Sequence, residues 1–223
     1  MTPNLLTLGC SFTDQDGWVN YIQENHNYNI INLAIGAGSN TTQIKRFNDF
    51  VLANPSMIFD AIWQITYLTR FNIRLASNHP DILSKKYLPI IDRGLVYAEE
   101  SPITNYFDKQ KHVDILNTDY TNNYVHLLDV NDELSSLMAS LLLLKKVSQK
   151  CLIFFGDDLI VDIEMKKSIE EFLTTHQINF ISADNSLLGW SKKNNLSFQL
   201  DGRHPTRETY RQYAQDIILP NFK

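Results

Sequence analysis

Leu5-Leu6-Thr7-Leu8-Gly9-Cys10-Ser11-Phe12-Thr13 is the stretch on which the reading of the whole chain turns. An apolar run this short, halted by a glycine, is a buried strand and leaves a serine just beyond its end. Working outward, Asp16 can cap a helix over Gly17 to His26, in which Trp18, Tyr21 and Ile22 fall at helical spacing. Tyr28 to Ile35, rich in isoleucine, reads as a second strand closed by Gly36-Ala37-Gly38. Ser39 or Asn40 can then cap a helix to Leu52 carrying Ile44, Phe47, Phe50 and Val51 on one side, which Asn54-Pro55 ends. Met57 to Thr66 is a third strand, apolar throughout, as suits a strand covered on both faces.

The alternation lapses after Thr66. Residues 67 to about 130 hold no steady period and are predicted to be an insertion of short helices and loops over one end of the sheet. Such an insertion serves as a lid or substrate-shaping wall, or as a surface with no part in chemistry. The rhythm then resumes. Asn131 or Asp132 caps a helix to about Gln149, with Leu134, Leu137, Met138, Leu141, Leu142 and Leu144 along it and Lys145 and Lys146 near the negative end of its dipole. Cys151 to Phe155 is a strand ending at Gly156-Asp157-Asp158, a helix runs from about Asp162 to His176, and Ile178 to Ala183 makes a fifth strand. A loop, the segment Leu200 to Pro205 and a helix from about Thr206 to Ile218 complete the chain. Strands alternating with helices predict an α/β fold: residues 1–223 as a single domain, a five-stranded parallel sheet with helices on both faces, and an insertion at about 67–130 after the third strand.

Composition narrows the function. The 223 residues are 43% hydrophobic and 11% aromatic, enough for a full core. Lys and Arg number 20 against 25 Asp and Glu, so a net charge of -5 offers no attraction to nucleic acid or to an anionic membrane. The two cysteines, Cys10 and Cys151, form no CxxC pair, which argues against a structural zinc site or a disulfide framework. The first residues lack the charge pattern of a signal peptide, and no apolar run reaches membrane-spanning length; a cytoplasmic or otherwise soluble chain is expected. His26, His79, His112, His126 and His176 are scattered without metal-ligand spacing, and Gly36-Ala37-Gly38 lacks the third glycine of a dinucleotide loop. No metal and no organic cofactor are expected.

Ligands of parallel α/β sheets gather at the carboxyl ends of the strands. Those ends deliver Ser11, the Gly36-to-Asn40 loop, Gln64 with Thr66 and Arg70, and Asp157 with Asp158, which can start a turn and cap the next helix or bind a metal or a sugar hydroxyl. Asp201-Gly202-Arg203-His204-Pro205 arrives from the far end of the chain. In one tight turn Asp201 can accept from one imidazole nitrogen of His204 while the other faces outward, fixing the tautomer a general base needs. A solvated turn before a helix is the competing reading of that spacing. Cys10 is expected to point into packing, on the opposite side from Ser11.

Gly9-Cys10-Ser11-Phe12-Thr13, Asn32-Leu33-Ala34-Ile35-Gly36-Ala37-Gly38-Ser39-Asn40 and Asp201-x-x-His204 together resemble blocks of the SGNH (GDSL-type) hydrolase superfamily, over roughly residues 4–66 and 131–219. The resemblance implies a flavodoxin-like three-layer α/β/α fold in which Ser11 is the nucleophile, His204 the base and Asp201 its orienter, forming and clearing an acyl-enzyme. It also implies oxyanion donors from the backbone of Ser11, from the second block and from an Asn in a third. Three departures accompany it. Cys10 stands where the family has Asp. The family's second-block Gly falls on Ala37, with Gly38 as the fallback donor. No Gly-x-Asn-Asp follows the third strand, so Gln64 is the expected side-chain donor.

The expected activity is therefore hydrolysis of an ester, an O-acyl or O-acetyl group on a carbohydrate or a small ester, by a serine esterase acting on a small-molecule or carbohydrate partner. A catalytically silent glycan-binding module of the same fold and an acyltransferase using the same residues are the alternatives. The geometry expected of an active site is Ser11 Oγ within about 3.5 Å of His204 Nε2, and Asp201 about 2.6–3.2 Å from Nδ1.

Overall fold

A computed structural model describes residues 2–14, 17–36, 38–66, 70–74, 87–91, 130–157, 163–200, 202 and 204–223. Its centre is a parallel sheet in the order β2-β1-β3-β6, built from β1 (Asn4–Leu8), β2 (Asn29–Asn32), β3 (Asp60–Ile65) and β6 (Cys151–Phe155). Leu5 lies level with Ile30 of β2 and Asp60 of β3, and Trp63 with Ile153 of β6. All six residues of β3 and all five of β6 are buried, because helices cover both faces.

Alternation along the strands sends side chains into two cores. On one face Leu5, Ile62, Leu152 and Phe154 meet α2 (Trp18–Asn25), α6 (Leu187–Lys193) and α7 (Arg207–Tyr213) through Trp18, Ile22, Leu187, Trp190, Tyr210 and Tyr213. On the other, Leu6, Leu8, Trp63, Ile153 and Phe155 meet α3 (Asn40–Ala53), α4 (Val130–Val147) and α5 (Ile163–Thr175) through Phe47, Leu137, Leu141, Leu144, Ile169 and Leu173. This is a three-layer α/β/α arrangement with one sheet as the middle layer. Ser11–Asp14 form a single helical turn, α1, directly after β1.

Four expectations change. Among the described residues the sheet has four strands, not five: Ile178 to Ala183 makes one parallel bridge, Phe180 opposite Ile153. Ser182 then caps a 3-10 turn at Ala183–Asn185, whose first amide donates to Glu170 Oε1 at 2.7 Å, so the chain leaves β6 after one rung. The second strand is shorter than Tyr28 to Ile35, because the Asn32 side chain accepts from the Ala34 amide at 3.0 Å and bends the backbone away. The final helix is interrupted by a π turn at Ala214–Ile218; Pro220, in the short α8 (Leu219–Asn221), has no N–H to give the carbonyl one turn back. Within the insertion, β4 (Arg70–Arg74) and β5 (Tyr87–Ile91) pair antiparallel as a separate two-stranded sheet, and the expected short helices lie outside the described residues. No described helix is long and apolar enough to cross a membrane.

Candidate active site

Ser11 sits where β1 runs out, at the carboxyl edge of the sheet, and the backbone leading to it is held from below by two glutamines. Gly9 N–H donates to Gln43 Oε1 and Cys10 N–H to Gln64 Oε1, each at 3.2 Å. Gln64 Oε1 also accepts from Thr13 Oγ1 at 2.8 Å, and its Nε2 donates to Cys10 Sγ at 3.3 Å. Both glutamines are fully buried. A Cβ on Gly9 would come within 2.3 Å of Thr13 Oγ1 and 2.6 Å of Gln64 Oε1, so only glycine lets the backbone come this close to its brace. Thr13 N–H closes on Cys10 C=O at 2.9 Å and makes the turn that turns Ser11 outward, half-buried. Cys10 is buried in the core formed with Trp18 and Phe154.

His204 reaches this serine from the other end of the chain: its Nε2 lies 2.9 Å from Ser11 Oγ, and its ring meets Phe12 edge-on with centroids 5.4 Å apart. A closed loop presents it. Gln199 N–H donates to His204 C=O at 2.7 Å, Gly202 N–H to Gln199 C=O at 2.9 Å, and Phe198 bridges Pro205. Gly202 takes φ +67, the left-handed conformation that glycine adopts without strain. Beyond the loop Thr206 caps α7, accepting from Thr209 N–H at 3.3 Å, while Thr209 Oγ1 donates to Ser197 C=O at 2.7 Å. The histidine is thus fixed between a hairpin-like turn and a capped helix start.

The structure brings Ser11 and His204 together; Asp201, Ala37, Arg203 and Asp158 lie outside the described residues. The oxyanion role expected of Gln64 is not the one it takes. It points to the face of Ile62, beneath the serine turn, and its carboxamide is occupied by Cys10 and Thr13. Gly38 also departs from its expected part, because its N–H donates to Ile35 C=O at 2.9 Å. Thr66, Asn40 and Gln43 form the remaining polar wall. Asn40 clasps Thr66 with two bonds, Nδ2 to C=O at 3.1 Å and Oδ1 from N–H at 3.0 Å, and so ties the start of α3 to the exit of β3.

Gln43 was not singled out by sequence reasoning, and Asn40 only as an alternative cap of α3 and the end of the second block, although a signal for both exists: Asn40, Gln43 and Phe47 fall at helical spacing on a single buried stripe. Among the described residues no three His, Cys, Asp or Glu side chains gather as a metal site. An open groove lined by Asn4 and Asn54 to Ile58 lies at the amino edge of the sheet, the opposite end from Ser11.

No family model matches the chain, and no curated protein sequence matches it. Solved structures do. TesA shares 12% identity with a TM-score of 0.54, covering 96% of both chains. A lipolytic protein of the G-D-S-L family from Veillonella parvula shares 14% at a TM-score of 0.54, over 97% of this chain and 96% of that one. A catalytic mutant of Axe2, an acetylxylan esterase from Geobacillus stearothermophilus, shares 12% at a TM-score of 0.53, over 98% and 93%. The chain has the SGNH (GDSL-type) hydrolase fold.

Proposed function

We propose that this chain is a serine esterase that cleaves an O-acyl ester, an acetyl group on a carbohydrate or a comparable small ester, through Ser11, His204 and Asp201. The observation that carries the reading is the 2.9 Å approach of His204 Nε2 to Ser11 Oγ at the carboxyl edge of the sheet. With Nε2 as acceptor the imidazole proton must sit on Nδ1, and Asp201, three residues earlier in the sequence, is the proposed carboxylate to hold it there.

In the reaction His204 Nε2 takes the Ser11 Oγ proton as Oγ bonds to the acyl carbon, and the carbonyl electrons move onto oxygen. Collapse of that oxyanion expels the alkoxide, which recovers the proton from His204. Water then adds to the acyl-enzyme with His204 again as base, releasing the carboxylic acid and freeing Ser11. The Ser11 N–H and the Ala37 N–H are the proposed oxyanion donors, each contributing about 3–4 kcal/mol when aimed at the developing charge. The two glutamines beneath the turn supply none of these atoms and instead hold the peptide that carries the Ser11 amide.

The fold of this chain is also that of proteins described as a member of the lipolytic protein G-D-S-L family and an acetylxylan esterase, which supports ester cleavage as the chemistry and acetylated carbohydrate as the first substrate to try. The test is hydrolysis of an activated acetate and of a panel of acetylated sugars by the unaltered chain, Ser11→Ala and His204→Ala. Each variant is expected to lose about a thousandfold or more in kcat. Equal rates from all three proteins remove the reading.

A further inference from the structure

Glu133 lies in the first turn of α4, on the core face that α4 shares with α3, and its carboxyl meets the Asn40 side chain, which donates a hydrogen bond to it. Asn40 is the residue that clasps the backbone of Thr66 beyond the end of β3. Among the described residues, three buried polar atoms in this wall have no hydrogen-bond partner: Glu133 Oε1, Thr66 Oγ1 and Gln43 Nε2. A buried orphan oxygen is costly, and most costly on a charged carboxylate.

We propose that Glu133 is a positioning residue for the Ser11 site: its carboxyl braces Asn40 in the clasp on Thr66, and thereby holds the start of α3, with Gly38 and Ser39 before it, against the turn that carries Ser11. The kinetic part of this inference rests on the esterase reading; the brace itself does not. Two contacts make the path continuous. Gly38 N–H closes on Ile35 C=O, and Ser39 caps α3 by accepting from Thr42 N–H at 3.1 Å, so the loop is built directly onto the helix that Asn40 begins. Three residues further along the same helix, Gln43 holds Gly9.

Burial pushes the Glu133 carboxyl up from 4.5 to about 8, opposed by the hydrogen bond from Asn40, so the group is neutral through the acid and neutral range. Among the described side chains, the charged groups of α3, β3 and the rest of α4 face elsewhere. On α3, Lys45 pairs with Asp49 on the exposed side and Arg46 donates to Ala34 C=O. On β3, Asp60 meets Tyr28 and Lys150 at the opposite end of the sheet, and on α4 itself Lys145 and Lys146 stand in the last turn. Asp157, buried beyond β6, is a carboxylate on the same edge of the sheet, and His204 there faces Ser11.

The sign follows from a folded-state pKa raised above the unfolded value. Stability from this group is fully present below about 4.5 and is lost as pH rises towards about 8. The experiment compares the full chain with Glu133→Gln and Glu133→Ala, reading kcat and KM on the activated acetate from pH 6 to 9 and thermal midpoints over pH 5 to 9. Glu133→Ala is expected to lower kcat about tenfold with KM within about twofold, a displacement effect on the reacting groups. Glu133→Gln, whose amide oxygen still accepts from Asn40, is expected to keep the kcat of the unaltered chain at pH 7. It is also expected to outlast that chain above pH 8, where the carboxylate forms.

The midpoint of Glu133→Gln should rise relative to the unaltered chain as pH increases from 5 to 9. A constant difference in midpoint across that range, or an unchanged kcat in Glu133→Ala at every pH, overturns the brace. If the unaltered chain cleaves no ester, the esterase reading fails and the thermal comparison alone decides the brace. If Glu133→Ala does not fold, the pH behaviour of Glu133→Gln decides it.

Discussion

Gln64 shows how much one side chain can hold at the residue scale. Its carbonyl oxygen satisfies two buried donors, the Cys10 amide and the Thr13 hydroxyl, and its amide satisfies the Cys10 sulfur. Gln64→Leu keeps the volume and strands those donors, so a loss of about 2–4 kcal/mol is expected by urea denaturation. With the Cys10–Ser11 peptide released, kcat on an activated ester should fall at least about tenfold while Ser11 remains present for titration by a fluorophosphonate. Ser11 and His204 were legible in the sequence because a serine after a strand-ending glycine and a histidine before a helix are local patterns. The role of Gln64 was not: its place near a strand end was readable, but it shares the face of Ile62 and so lies under the serine turn instead of beyond it. Gln43 was hidden for a different reason. A polar residue in a helix reads as solvated until the tertiary fold brings the Gly9 amide to it.

Among elements, the loop from Phe198 to Thr206 decides where the imidazole stands. Gly202 has φ +67 and open space around the position of a Cβ, so Gly202→Ala meets no clash and its cost is purely conformational, about 1 kcal/mol. Thr206→Ala removes the cap of α7 and should cost about 1 kcal/mol in thermal or urea unfolding, with a fall in kcat as the helix start that flanks His204 frays. The strands β1, β3 and β6 and the helices between them were readable because each is a continuous apolar run or a helical stripe. The fifth strand misled because Ile178 to Ala183 has the composition of a strand, whereas Ser182 and the Glu170 carboxylate draw its amides into a 3-10 turn after a single bridge. Composition reports burial; it does not report which neighbour takes the hydrogen bonds.

The whole molecule is held by two cores on either side of one sheet, and the amino edge carries a separate clamp. There Tyr28 donates to Asp60 at 3.1 Å, Lys150 stands 3.7 Å from the same carboxylate, and Lys150 also lies 4.4 Å from the Phe222 ring centroid. This clamp closes the end of the sheet remote from Ser11, so Phe222→Ala should destabilise by about 2–4 kcal/mol without changing KM for an ester. Phe47, fully buried against Trp63, and Leu52, 79% exposed on the same helix, make an internal comparison. Phe47→Ala should cost about 3–5 kcal/mol and Leu52→Ala no more than about 0.5 kcal/mol by the same denaturation measurement.

The hydroxyl of Ser11 and the imidazole of His204 are separated by 193 positions along the chain. On the esterase reading, until the carboxyl-terminal loop has docked the serine is an ordinary alcohol, so a partly synthesised or locally opened polypeptide has no means of activating the oxygen. Covalent capture by an electrophile thus becomes a reporter of tertiary closure: in denaturant, the yield of tagged protein should track detachment of the last helices, ahead of any spectroscopic sign that the sheet has melted.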